Sequence, residues 1–228
     1  GYALPDDNAE QTYLGQNWAG HLEANKAALT GRIMYEHDGG RWIVALSGAS
    51  LELDFEAGTT DAINAGKLEI DYTILSTQFN GEKWQFTAEG AVQKSNFIGL
   101  GGAFSDADVK PLGFTVEAKY RFTSKWQAFV RSETFYLDKD DKYGHSSNQK
   151  LQRLSDTLYG GQLPIQPSYN RYSQAWVMGG RWDINNNLMA AADYHIIKGG
   201  AILSGADNDI YATAKYWDMF AISLSYRF

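Results

Sequence analysis

One unit recurs along this chain: an aromatic residue, a short polar turn, then a basic residue and a tryptophan that opens an alternating segment. It reads Tyr35 … Asp38-Gly39-Gly40-Arg41-Trp42, then Phe79-Asn80-Gly81-Glu82-Lys83-Trp84, then Phe122-Thr123-Ser124-Lys125-Trp126. The three tryptophans fall at equal intervals, and Trp182, just ahead of Asn185-Asn186-Asn187, is a drifted fourth copy. Rings with a polar edge, clustered beside tight turns, are what a membrane-spanning β-barrel sets at lipid headgroup level. Trp42, Trp84, Trp126, Trp182, Tyr226 and Phe228 are the expected girdle. The last stretch, Phe220 to Phe228, is apolar at every second residue and ends on an aromatic ring.

Nine segments from Ala28 onward alternate with a period of two: 28–37, 41–55, 67–79, 83–94, 111–122, 126–137, 173–183, 187–198 and 216–228. Most have the length that a tilted strand needs to cross a bilayer. In 111–122 one face is Leu112, Phe114, Val116, Ala118, Tyr120 and Phe122, and the other is Thr115, Glu117, Lys119 and Arg121. In 67–79, Leu68, Ile70, Tyr72 and Ile74 form the apolar face against Glu69, Asp71 and Thr73. The second segment changes phase near Ser50, which points to a bulge or to the membrane rim. All four prolines avoid segment interiors. The expected fold is therefore all-β, a transmembrane antiparallel up-and-down barrel.

Connections alternate short and long. The short ones, Asp38-Gly39-Gly40, Asn80-Gly81-Glu82, Thr123-Ser124 and Asn185-Asn186-Asn187, have hairpin chemistry. The long ones, 56–66, 95–110, 138–172 and 199–215, are rich in Gly, Asp, Asn and Ser. Short turns on one side and long loops on the other match the periplasmic and extracellular ends of an outer-membrane barrel. Residues 1–27 are then an N-terminal loop or a weak extra strand, with Thr12 to Leu22 as its candidate, and 28–228 are the barrel strands. Nine is odd, whereas bacterial single-chain barrels have even strand numbers. Either the barrel closes alone with about ten strands or the chain is the C-terminal part of a larger one. Gly1 in place of methionine fits a processed or truncated chain.

Composition excludes several other classes. A net charge of −7 argues against a nucleic-acid partner, which needs a basic footprint. Cysteine is absent, which removes disulfides, thiolate metal sites and cysteine nucleophiles. No apolar run is long enough for a transmembrane helix. The four-residue run Gly99-Leu100-Gly101-Gly102 is no phosphate loop, lacking both the Lys-Ser/Thr and the following helix. No cofactor is expected.

The closing region resembles the last three strands of Gram-negative porins. It runs Trp176-Val177-Met178-Gly179-Gly180-Arg181-Trp182-Asp183, then Ala190-Ala191-Ala192-Asp193-Tyr194-His195, then Tyr216-Trp217-Asp218-Met219-Phe220 and Tyr226-Arg227-Phe228. The likeness is nearest to the broad group that includes the phosphate-selective porins, and it is looser over 28–137. It implies the bacterial outer membrane, the lipid bilayer as partner, and the barrel-assembly machinery reading the strand that ends in Phe228. Porins of this group are usually homotrimers with more strands than are visible here.

If the apolar faces meet lipid, Arg32, Glu36, Glu69, Asp71, Glu89, Glu117, Lys119, Arg121, Arg131, Glu133, Arg181, Asp183, Asp193 and His195 line the lumen. Inward charges of both signs are cheap around water and expensive in a dry core. The Thr123-Ser124 turn sets Glu117 opposite Arg131 and Lys119 opposite Phe129, so part of the charge is paired. Acids at least match bases, which does not favour anion selectivity. Segment 138–172 is either an exposed loop or a constriction folded into the lumen. Asp138-Lys139-Asp140-Asp141 and Asp207-Asn208-Asp209 offer oxygen ligands for calcium, but neither has the glycine and distal Glu of an EF-hand, so no metal is expected. Asp193 and His195 share a face without a serine tied to them, so no enzyme is expected. The expectation is a porin-type channel for passive diffusion of small hydrophilic or ionic solutes, the alternative a non-conducting barrel with a structural, adhesive or partner-binding role.

Overall fold

A computed structural model describes residues 14, 18–24, 26–101, 108–161, 165–203 and 208–227. The described strands carry the fold, and one long connection adds a helix and a 3-10 turn. Nine long strands account for all nine expected segments, with ends moved by a few residues. They are β2 (Leu29–His37), β3 (Trp42–Glu56), β4 (Gly66–Asn80), β5 (Trp84–Ile98), β7 (Leu112–Arg121), β8 (Trp126–Tyr136), β9 (Tyr172–Asp183), β10 (Leu188–Lys198) and β11 (Tyr216–Tyr226). Two short strands, β1 (His21–Glu23) and β6 (Asp108–Val109), were not expected, because two or three residues carry no period. The candidate strand over Thr12 to Leu22 lies mostly outside the described residues, and its end falls in β1. All eleven strands form one sheet in the order β1-β3-β4-β5-β7-β8-β9-β10-β11, with β2 beside β3 and β6 beside β5.

The hairpins form where turn chemistry dictates. Asp38, Gly39 and Gly40 all take positive φ, a conformation that leaves the two glycines unstrained. The Thr123 hydroxyl accepts the N–H groups of Lys125 and Trp126, and the Asn185 side chain does the same for Asn187 and Leu188. These local closures fix register. Along β7 and β8, Glu117 stands opposite Arg131 and Lys119 opposite Phe129, as the turn predicted.

The chain divides into two compact units. The first comprises residues 1–33, 46–74 and 91–110. Its core is conventional, with Leu22, Leu53, Phe55, Ile63, Leu68, Ile70 and Leu100 buried together and Trp18 edge-on to Phe55. The second comprises 34–45, 75–90 and 111–228. Its buried cluster is small, Ala175, Val177 and Ile197 with Phe129 and Trp217 against them.

Candidate membrane face and charged wall

In the second unit, the short-turn end carries a chain of touching rings. Trp42 packs on Phe79 at 4.7 Å, Phe79 on Phe86 at 6.2 Å, and Phe86 on Trp84 at 5.5 Å. Trp84 continues to Tyr120 at 4.7 Å and Tyr120 to Phe122 at 4.9 Å. Trp126 stacks on Trp182, its direct cross-strand partner, at 5.0 Å. Each ring belongs to a strand end held by a short turn, so the turns align them. The Arg41 guanidinium lies over the Phe79 ring, 5.8 Å from its centroid.

The face bearing Trp126 and Trp182 continues along the strands as Val130 beside Met178, then Ser132 beside Trp176. On β11 it presents Phe220, Ile222 and Leu224. Trp176 is 58% exposed and Ile222 73%. A contiguous apolar face of this kind is far beyond what water-facing sheets carry, and it is the surface that acyl chains solvate. Of the expected girdle, Tyr226 ends β11 on this face, while Phe228 lies outside the described residues.

The opposite face of the same strands is charged, and the charges are joined. Lys119 lies 2.7 Å from Glu117, Glu117 3.4 Å from Arg131, and Arg131 2.5 Å from Glu133. Arg181 pairs with Asp183 at 2.7 Å, and His195 with Asp193 at 2.8 Å. Arg121 shares this face, opposite Gln127, which in turn stands opposite Arg181. Glu89 is exposed on β5. The wall is not charged throughout. Val177 stands between Arg131 and His195, and Ala175 between Glu133 and Ile197, so the small apolar cluster shares this face. Phe129 lies over Gly179, where any side chain would collide with the ring.

In the first unit the expected lipid face of β4 is corrected. Leu68 is 1% exposed and Ile70 8%, both in the core. Asp71 accepts a hydrogen bond from Ser50, and Glu69 one from Asn96. Lys67 reaches Glu52 and Asp54, and Lys26 reaches Glu52. Glu69 and Asp71 thus belong to a polar surface whose opposite side is a packed core. Core-facing and lipid-facing residues share the period of two, so alternation alone does not separate them. The phase change at Ser50 is likewise one of chemistry, since the even-numbered positions of β3 are the more exposed both before Ser50 and beyond Leu53. Arg32 is exposed on β2.

Segment 138–172 contains α1 (His145–Tyr159) and a 3-10 turn over Ser168–Arg171. Its opening folds onto the apolar face. Tyr143 packs edge-on against Tyr136 and Tyr172, a cross-strand pair on the Trp126 side of the sheet. Asp141 accepts the N–H groups of Ser146 and Ser147 at the start of α1. Burial opposes that charge, but these bonds and the Arg171 guanidinium hold the carboxyl below its usual range. Asp141 is therefore occupied as a helix cap; among the described residues no acidic group is arranged for a metal, and Asp207 lies outside them. Sequence reasoning missed the braces between the two longest loops. Asn170 donates to the Ile210 carbonyl and accepts from Thr213, and the Tyr169 hydroxyl donates to the Thr213 carbonyl. In the first unit, Asp61 accepts the N–H groups of Ala19, Gly20 and Gly58; burial opposes its charge, and the three donors outweigh it and hold its pKa down.

An up-and-down antiparallel sheet with a ringed apolar face is the fold of bacterial outer-membrane β-barrels, and one solved structure agrees. The chain is similar to the outer membrane channel DcaP of Acinetobacter baumannii, at 9% identity and a TM-score of 0.58, over 91% of this chain and 53% of that one. It also aligns with OmpT, an outer membrane protein of Vibrio cholerae described in a trimer form, at 10% identity and a TM-score of 0.44, over 86% of this chain and 64% of that one. The chain spans about half the length of DcaP. No protein-family model and no curated protein matches it.

Proposed function

We propose that this chain is part of an outer-membrane channel through which small hydrophilic solutes diffuse passively, with no reaction catalysed. The observation that carries the reading is the division of β7–β10, one face apolar and exposed, the other holding the Lys119–Glu117–Arg131–Glu133 and Arg181–Asp183 ion pairs. Ionised groups at that density stand in contact with water, and a watery path along them lowers the barrier to a polar solute. Lys119, Arg131 and Arg181 each have a carboxylate partner, which supports mixed or weak selectivity over an anion-guiding stripe. Membership of the phosphate-selective group rests on the likeness of the last three strands and remains part of this proposal, as do homotrimer formation and assembly through the terminal strand. Planar-bilayer conductance of the folded protein tests the reading; a barrel that inserts and never conducts overturns it.

A second reading, a non-conducting barrel whose long loops bind a partner, is favoured by the buried Val177–Ile197 cluster on the charged face. Single-channel recording separates the two.

A further inference from the structure

The apolar face is interrupted at the end of the sheet remote from the short turns. Thr134, Gln174, Lys198 and Tyr216 stand in one cross-strand row, and Ser132, Trp176, Ile196 and Asp218 in the next. Both rows lie on the side of the sheet that carries Trp126 and Trp182. All residues of the two rows except Asp218 line a cavity of ≈ 350 Å³, joined by Ala175, Ile197 and Glu133, whose carboxylate is paired with Arg131.

A lysine inside an apolar face is costly unless its ammonium has an anion or reaches water. Lys198 has no ion-pair or hydrogen-bond partner among the described residues. A second cation, Lys215, lies 5.6 Å over the ring of Tyr216, the cross-strand partner of Lys198. The carboxylate on this face, Asp218, takes a hydrogen bond from the Tyr194 hydroxyl. Exposed Trp176 and Ile196 lie one row nearer the sheet centre, where acyl chains would be. Cation toward the rim, rings at headgroup depth and aliphatic surface below reproduce the polarity profile of one lipid molecule.

We infer that this outward cavity is a binding site for a phospholipid of net negative headgroup charge, the phosphate on Lys198 and Lys215 and an acyl chain along Trp176 and Ile196. The inference rests on the membrane reading of this face but not on conduction.

The test inserts the whole chain into phosphatidylcholine vesicles containing phosphatidylglycerol, extracts it gently in detergent and counts retained lipid by native mass spectrometry. Phosphatidylglycerol should be retained over phosphatidylcholine. Lys198→Gln should lower that retention about fivefold, the size expected for one lysine at a membrane surface. Trp176→Ala should lower it as well, and Lys125→Gln, at the short-turn end, should leave it unchanged. Inorganic phosphate should not displace the lipid. Equal retention of both lipids, equal losses with Lys125→Gln, or displacement by free phosphate overturns the site. So does a change in oligomer size with Trp176→Ala at constant lipid retention, which would make the cavity a contact with a second copy. Failure of the chain to insert at all would instead sink the membrane reading.

Discussion

Along β3, Trp42 and Val44 are exposed in one unit while Leu53 and Phe55, in the other, are buried. The odd parity is mainly apolar and turned inward in both stretches; the chemistry of the even parity changes, from Trp42, Val44 and Leu46 to Ser50, Glu52 and Asp54. In the first unit, apolar residues turn toward a packed core and the other parity holds Ser50, exposed, with Glu52 and Asp54, partly exposed. In the second, the exposed positions hold rings and aliphatic chains, and the ion pairs lie on the other face. A single strand can therefore serve two solvents without a change of backbone geometry. What changes is whether the outward parity is greasy.

This contrast can be broken by experiment. Phe55→Ala removes a ring that is 2% exposed and should cost about 3–5 kcal/mol, seen as protease sensitivity of the first unit. If Phe55 instead faced lipid, the acyl chains would fill the space and the loss would be small. Val116→Arg is the complementary case. Val116 is 54% exposed on β7, and in water an arginine there would change stability by no more than about 0.5 kcal/mol. In a bilayer it should cost about 2–4 kcal/mol, measured by urea unfolding from vesicles. A neutral result in vesicles would remove the lipid-facing assignment of this strand.

Much of this was legible because strands, turns and girdle are local patterns. Trp42, Trp84, Trp126 and Trp182 could be placed beside turns, and a tight turn between β7 and β8 fixed Glu117 opposite Arg131 by counting. The solvent of each face could not be counted. Leu68 and Phe114 obey one rule on paper, and the burial of Leu68 in the cluster, with Lys67 beside it meeting Glu52 and Asp54 across strands, reveals that Leu68 points to a core. That contact depends on the pairing of β3 with β4 across the long loop 57–65, whose length leaves register open. The Tyr136–Tyr143–Tyr172 cluster and the Asn170–Thr213 brace are likewise made by loops without a period. The helix α1 left a faint trace in the spacing of Leu151, Leu154 and Leu158.

Glu117→Gln sharpens the account of the second unit's wall. It leaves Lys119 without its carboxylate and Arg131 with Glu133 alone. Glu117 is buried while Lys119 and Arg131 are partly exposed, so the stability loss should be about 1–3 kcal/mol. The wall becomes more positive by one charge, so the reversal potential in a salt gradient should move toward anion preference. A conducting channel whose reversal potential does not move would place Glu117 away from the path.

The smallest effect compares the loops of the two units under acid. Asp61 in the first and Asp141 in the second both have pKa values held below the ordinary 3.8, by backbone donors that outweigh burial. A carboxyl depressed in the folded state contributes stability that is complete above 3.8 and disappears as pH falls through the folded value. Amide protection in α1 and in residues 57–65 should therefore be flat from neutrality down to that point and decline below it. Asp141→Asn keeps an oxygen able to cap Ser146 and Ser147 but cannot titrate, so at neutral pH it should cost about 0.5 kcal/mol of helix stability. In this variant the acid loss in α1 should vanish while that at 57–65 persists, because Asp61 still titrates there. If α1 loosens in acid to the same degree in both proteins, the cap is not what the proton releases, and the brace through Asn170 and Thr213 becomes the element to test.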